Sequence, residues 1–320
     1  MSYLNEFNRP DLNQGHYGLL DQIGVVRTPV AGPSWTGYSS GYDFAYCPSD
    51  GLLYTGNAGL STVMLTNPNT NTIVKTITVA ATPTFLEYNP SNNYMYVTNN
   101  SGTAMAINPA TGTVVATITL STGPLNIAYC PSNTSMYASN NQTTTVMVIN
   151  ASNVVTATIA IGSNPAGITY CPTNNSIYVN NAAGGTTRVI NSANTVVATI
   201  AVSASVTLES IVYCPTNNMI YTADQSTTAP GNRVYAINPA TNTVVSTITV
   251  TGGPSSLSYN PVTDLIYTGG VSLALVYVIS PKTNTVVATL TNSAVIQTMK
   301  YCPSVDRMYS IGGSTGQVFT

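Results

Sequence analysis

The sequence predicts an all-β chain folded as a seven-bladed β-propeller of four-stranded antiparallel blades, its ring closed by an N-terminal outer strand. Three observations predict it. The triplet Tyr-(Cys or Asn)-Pro recurs seven times, with its tyrosine at Tyr46, Tyr88, Tyr129, Tyr170, Tyr213, Tyr259 and Tyr301. Eight residues after each comes a second tyrosine: Tyr54, Tyr96, Tyr137, Tyr178, Tyr221, Tyr267 and Tyr309. The last copy stops at Gln317-Val318-Phe319-Thr320, its third strand, and the missing Val-Val strand is matched instead by Val25-Val26 near the start. Self-similarity at about 42 residues is the mark of a repeat architecture whose units bury their faces only against one another.

Each copy reads as four short strands divided by turn residues. In the third these are Pro124–Tyr129, Ser135–Ser139, Thr145–Ile149 and Val154–Ile159. Two positions before each first tyrosine stands a large apolar residue (Phe44, Leu86, Ile127, Ile168, Ile211, Leu257 or Met299), which period-2 alternation puts on the same strand face as that tyrosine. Radial packing of such four-stranded units is the propeller arrangement. The match of Val25-Val26 to Val286-Val287 assigns residues 22–30 to the outer strand of blade seven, which covers an otherwise open sheet edge. The domain reading is therefore an arm over 1–21 and a propeller over 22–320.

Composition bounds the partners. Charged residues make up only 6% of the 320, against about 25% in a typical soluble domain, and the formal net charge is −2. With no basic run, nucleic acid is not expected, since a grip on phosphates needs several Lys or Arg. No stretch approaches the ~20 apolar residues of a membrane span, and residues 1–10 lack the basic start and apolar centre of a secretory signal.

Tyr96-Val97-Thr98-Asn99-Asn100, together with Ala236-Ile237-Asn238-Pro239-Ala240-Thr241-Asn242-Thr243-Val244-Val245, resembles the YVTN-type β-propeller repeat family over roughly residues 22–320. The resemblance implies a seven-bladed propeller, common in surface-layer, secreted or envelope-associated proteins with binding roles. It carries no general catalytic motif.

All five cysteines, Cys47, Cys130, Cys171, Cys214 and Cys302, share one repeat position, where the other two copies carry Asn89 and Asn260. Equivalent points on packed sheets lie about 10 Å apart, too far for a disulfide. They read as small, partly buried free thiols, and no metal or other cofactor is expected.

Strand direction sorts the connections onto two faces. First-to-second and third-to-fourth turns share one face; second-to-third turns and blade-to-blade links share the other. The second face holds two apparent insertions, Ala31–Ser40 with Trp35 and Tyr38, and Ala223–Asn232. Trp35 is expected either to cover the channel mouth or closing strand, or to touch a partner. The arm adds Tyr3, Phe7, Arg9 and Tyr17, of the aromatic and Arg type that anchors interfaces. These six residues are the candidate partner-binding set.

Charges on the inner strands are Asp43, Glu87, Glu209 and Lys300. Glu87 and Lys300 hold one repeat position in blades separated by blade one, which argues against a direct pair. The sole His16 lies outside the repeats, so nucleophile–base chemistry has no support. The expected function is a non-enzymatic interaction or structural module binding other proteins. A virion is the first setting, as a bacteriophage capsid decoration or tail attachment protein with capsid or tail components as partners and a host-surface glycan as a second ligand class. A cell-surface or secreted envelope propeller is the alternative, and a channel-face enzyme the third reading.

Overall fold

The computed structural model describes residues 31–36, 39–162, 164–204, 207–226, 232–312 and 315–319. They form seven four-stranded antiparallel sheets, six of them with consecutive strands in sequence order. In blade three the strands are Pro124–Cys130, Ser135–Asn140, Thr145–Ile149 and Val155–Ala160, each within one residue of the expected limits. The inner strands run Gly41–Cys47, Pro83–Asn89, Pro124–Cys130, Pro165–Cys171, Leu208–Cys214, Pro254–Asn260 and Thr298–Cys302. Each lies against the next, and the seventh lies against the first, so the ring is closed.

Burial follows from the radial packing. The seven second tyrosines are all at most 2% exposed, wedged between blades. Six of them, Tyr54, Tyr96, Tyr137, Tyr178, Tyr221 and Tyr309, donate their hydroxyl to a turn of their own or the following blade. Tyr96, Tyr137 and Tyr221 donate at 2.5 Å to the side-chain oxygens of Asn153, Asn194 and Asn284 in the following blade, and Tyr178 donates to Asn242 at 3.0 Å. These asparagines sit at φ between 54° and 64°, the left-handed region that Asn tolerates in a turn. One residue thus both shapes the third-to-fourth turn and ties two blades. In blade two that place is Gly112, which has no side chain to offer, and Tyr54 donates instead to Asp50 of its own blade at 2.5 Å.

The outer strands alternate. Thr113–Thr119, Thr243–Thr249 and Thr285–Thr291 expose every other residue, and Val115, Val245 and Val287 are 42–49% exposed. The rim is therefore edge strands faced with Thr and Val and few charges.

Closure differs from the expected register. The fourth strand of blade seven is Ala31–Thr36, paired antiparallel with Thr315–Phe319 through Ala31↔Phe319, Ser34↔Gln317, Trp35↔Gly316 and Thr36↔Thr315. The expected strand over 22–30 lies outside the described residues, and so does the rest of the arm. Ala31 faces Phe319 as Val286 faces Ile279, and a bulge follows at the same place in both. The interval from Ala31 to Tyr46 then equals that from Val286 to Tyr301. The insertion expected over Ala31–Ser40 disappears: its first six residues are strand, not loop. The physical reason is that an outer strand needs no Val-Val pair, because one of its faces is solvated. Pro33 is tolerated because it falls at a bulge on an edge strand, where no N–H is required of it.

The five cysteines are buried and free. Their thiols lie 3.1–3.4 Å from the hydroxyl two residues on, those of Ser49, Ser132, Thr173, Thr216 and Ser304. In the other two copies Asn89 and Asn260 accept from the backbone N–H of Ser91 and Val262. The thiol is the small apolar variant of a turn-capping position. Among the described residues no helix is long and apolar enough to cross a membrane.

Candidate functional site in the central channel

Six of the seven inner strands carry a register shift just before the first tyrosine of the repeat. The bulge turns the residue three places before that tyrosine toward the neighbouring blade. Ser210 accepts the backbone N–H of Leu257 at 2.9 Å, and Ser256 accepts that of Met299 at 2.7 Å. Blade one has Asp43 at this place, accepting the N–H of Leu86 at 3.0 Å.

A carboxylate has capacity that a hydroxyl lacks, and blade seven fills it. Thr298 donates its hydroxyl to Asp43 Oδ1 at 2.9 Å, and the Lys300 ammonium donates to Oδ2 at 2.7 Å. Lys300 also donates to the carbonyl of Leu86 at 3.3 Å. Asp43, fully buried, therefore joins the inner strands of blades seven, one and two at the seam between the last blade and the first. Lys300 reaches past blade one because its four-carbon stem is long, and its contacts are with Asp43 and Leu86. Among the described residues this is the one ion pair, and Glu87 is not in it.

Two other carboxyls share the channel. Glu87 keeps part of its surface open, but protein atoms surround it, so the few waters reaching it solvate a charge poorly. Its carboxyl is pushed up to about 7, by burial first; the nearby Lys300 charge opposes the rise and Asp43 adds to it. Glu209, on the inner strand of blade five, is pushed up to about 7 by burial. Its backbone is brought in by Gly167 in blade four: a Cβ there would stand 2.1 Å from the Glu209 carbonyl oxygen, which only glycine avoids.

Tyr42, half-buried, links the two sides. Its ring meets Phe85 edge-on with centroids 5.7 Å apart, and its hydroxyl is raised above the usual phenol range by burial, with Glu209 and Asp43 adding to the shift. The ring thus gathers Asp43, Glu87, Glu209, Lys300, Tyr42 and Phe85 around its axis. Among the described residues no three His, Cys, Asp or Glu side chains converge closely enough to hold a metal ion.

Of the sequence-derived partner set, Tyr3, Phe7, Arg9, Tyr17 and Tyr38 lie outside the described residues. Trp35 stands in the closing strand opposite Gly316, at the register place of Ile248 and Leu290, not in a loop on the second face. In the other insertion, residues 223 and 224 belong to the strand Met219–Asp224, while 227–231 lie outside the description. Sequence reading named the four channel charges but missed Tyr42, whose position one residue before Asp43 was the available signal.

No protein-family model matches the chain, and no curated protein matches it in sequence. Among solved structures the fold is similar to that of a chain of Kuenenia stuttgartiensis hydrazine synthase, with a TM-score of 0.76 and 16% identity over 92% of this chain and 98% of that one. At that identity the likeness shows the seven-bladed propeller and nothing of the activity.

Proposed function

We propose that the protein is a non-enzymatic interaction module that binds a ligand or partner group at its central channel. The observation that carries this reading is the placing of charge. A chain with 6% charged residues sets two carboxyls, with no hydrogen-bond partner among the described residues, in a channel where burial disfavours their ionised form. Such groups lower stability, and groups kept at that cost are candidates for binding.

A hydrolytic reading would use the same two carboxyls. Acid–base pairs work by having their affinities for protons pushed apart, one held charged and one neutral. Here burial moves both in one direction to about the same value, so neither is set apart as base or acid.

The setting we propose is a virus particle, as a capsid decoration or tail attachment protein, with YVTN-type repeats as its building unit. The Thr- and Val-faced rim, almost free of charge, supports an exterior role. The arm residues Tyr3, Phe7, Arg9 and Tyr17, with Trp35 and Tyr38, remain the proposed protein contacts. Incorporation of the chain into its particle tests this, comparing Phe7→Ala, Arg9→Ala and Glu87→Gln/Glu209→Gln with the wild type. Loss in the channel variant supports the channel reading, and loss in the arm variants supports protein docking through the arm. Normal incorporation of all three, or measurable turnover abolished by the channel variant, overturns the proposal.

A further inference from the structure

We infer that the channel site, on the reading above that the channel binds, takes an alkylammonium group. Lys300 is already satisfied by Asp43 and the Leu86 carbonyl, and Asp43 by three donors. That leaves Glu87 on blade two and Glu209 on blade five, neither reached by a hydrogen bond or an ion pair among the described residues, although Glu87 is enclosed by protein atoms. With both ionised the cluster carries two negative charges beyond what Lys300 neutralises.

Shape selects the cation. The carboxyls do not converge as a metal ion requires, and they come from blades three apart in the ring. An ammonium on a carbon chain fits this better than a bare ion. Its N–H groups donate to a carboxylate, and its methylenes lie against the exposed parts of Tyr42 and Phe85, whose ring faces also attract a cation. A diamine or polyamine carries a second ammonium for the other carboxylate. A lysine side chain of a partner peptide offers the same group to one.

Proton linkage gives the site a signature. In the free protein both carboxyls hold protons up to about pH 7. A bound cation favours the ionised form, so binding releases protons and tightens as pH rises from 6 to 8.

Isothermal titration of the full chain with spermidine, and separately with a short Lys-Gly-Lys peptide, tests the inference at pH 6 and 8 in two buffers of different ionisation heat. One-to-one binding, stronger at pH 8, with proton release and at least a tenfold loss in Glu87→Gln/Glu209→Gln, is the expected result. Binding by spermidine alone assigns a free polyamine, and binding by the peptide alone assigns a partner's lysine. The Gln changes keep side-chain size, and the wild-type pH dependence stands as a second reading should the double variant misfold. No binding of either probe at pH 8, or equal affinity at both pH values, overturns the inference. Channel-dependent incorporation with no ammonium binding would leave the channel reading standing and remove only this ligand class.

Discussion

Asp43 shows how one side chain can hold a ring together. Its neighbours in the same repeat position, Ser210 and Ser256, each join two blades; Asp43 joins three because a carboxylate accepts several charge-assisted bonds. Replacing it by Ala leaves the Lys300 ammonium without its anion, and a loss of about 3–5 kcal/mol is expected from chemical denaturation, with a smaller loss for Asp43→Asn. The four inner-strand charges were legible in the sequence. Their grouping was not, because repeat numbering counts blades and ignores that Lys300 can reach across one. Glu87 and Glu209 act oppositely. Their carboxyls titrate near 7 when folded and near 4.5 when unfolded, so the unfolded chain loses its protons first as pH rises. Stability from these groups is highest below about pH 4.5, falls between there and 7, and stays low above. Melting of Glu87→Gln/Glu209→Gln should lose that slope, and at pH 8 the variant should be more stable than wild type by on the order of 2 kcal/mol.

At the scale of the strand and turn, the repeat is a set of paired residues. In blades two to five and in blade seven the second tyrosine and the left-handed asparagine of the next blade are one unit, and Tyr54–Asp50 marks where Gly112 breaks it. Tyr137→Phe, which removes the hydroxyl shared by Asn133 and Asn194, should cost about 1 kcal/mol with no change of fold, measured by urea unfolding. The cysteine position was legible as a turn site with free thiols. Burial pushes the Cys47 thiol up to about 11 and raises Cys214 and Cys302 as well. Native protein should therefore resist alkylation at pH 8, and denatured, unreduced protein should take five labels; a linked Cys–Cys peptide would contradict the blade register. The outer strand of blade seven was the element that sequence placed wrongly, because an outer strand in general makes few demands on residue type. Gly32 and Pro33 look like loop residues, yet a bulged edge strand accepts both.

At the scale of the whole ring, the described residues close on themselves, the last blade being finished by Ala31–Thr36. Phe44, Leu53 and Met64 of blade one pack with Tyr309, Ile311 and Val318 of blade seven, so the seam carries a core like any other junction. That closure was legible from the truncated seventh repeat alone; the register was not, since nothing in the sequence ties the free strand to its partner by a short turn. Ser34 faces Gln317 in the closing pair. Directly facing residues of an antiparallel pair lie within disulfide reach, whereas a six-residue shift displaces a strand by about 20 Å. The direct test is oxidation of two double variants, Ser34→Cys/Gln317→Cys and Thr28→Cys/Gln317→Cys, followed by peptide mapping. An intramolecular link in the first and none in the second is the expected result. A link between positions 28 and 317, with none between 34 and 317, would contradict the closure described here.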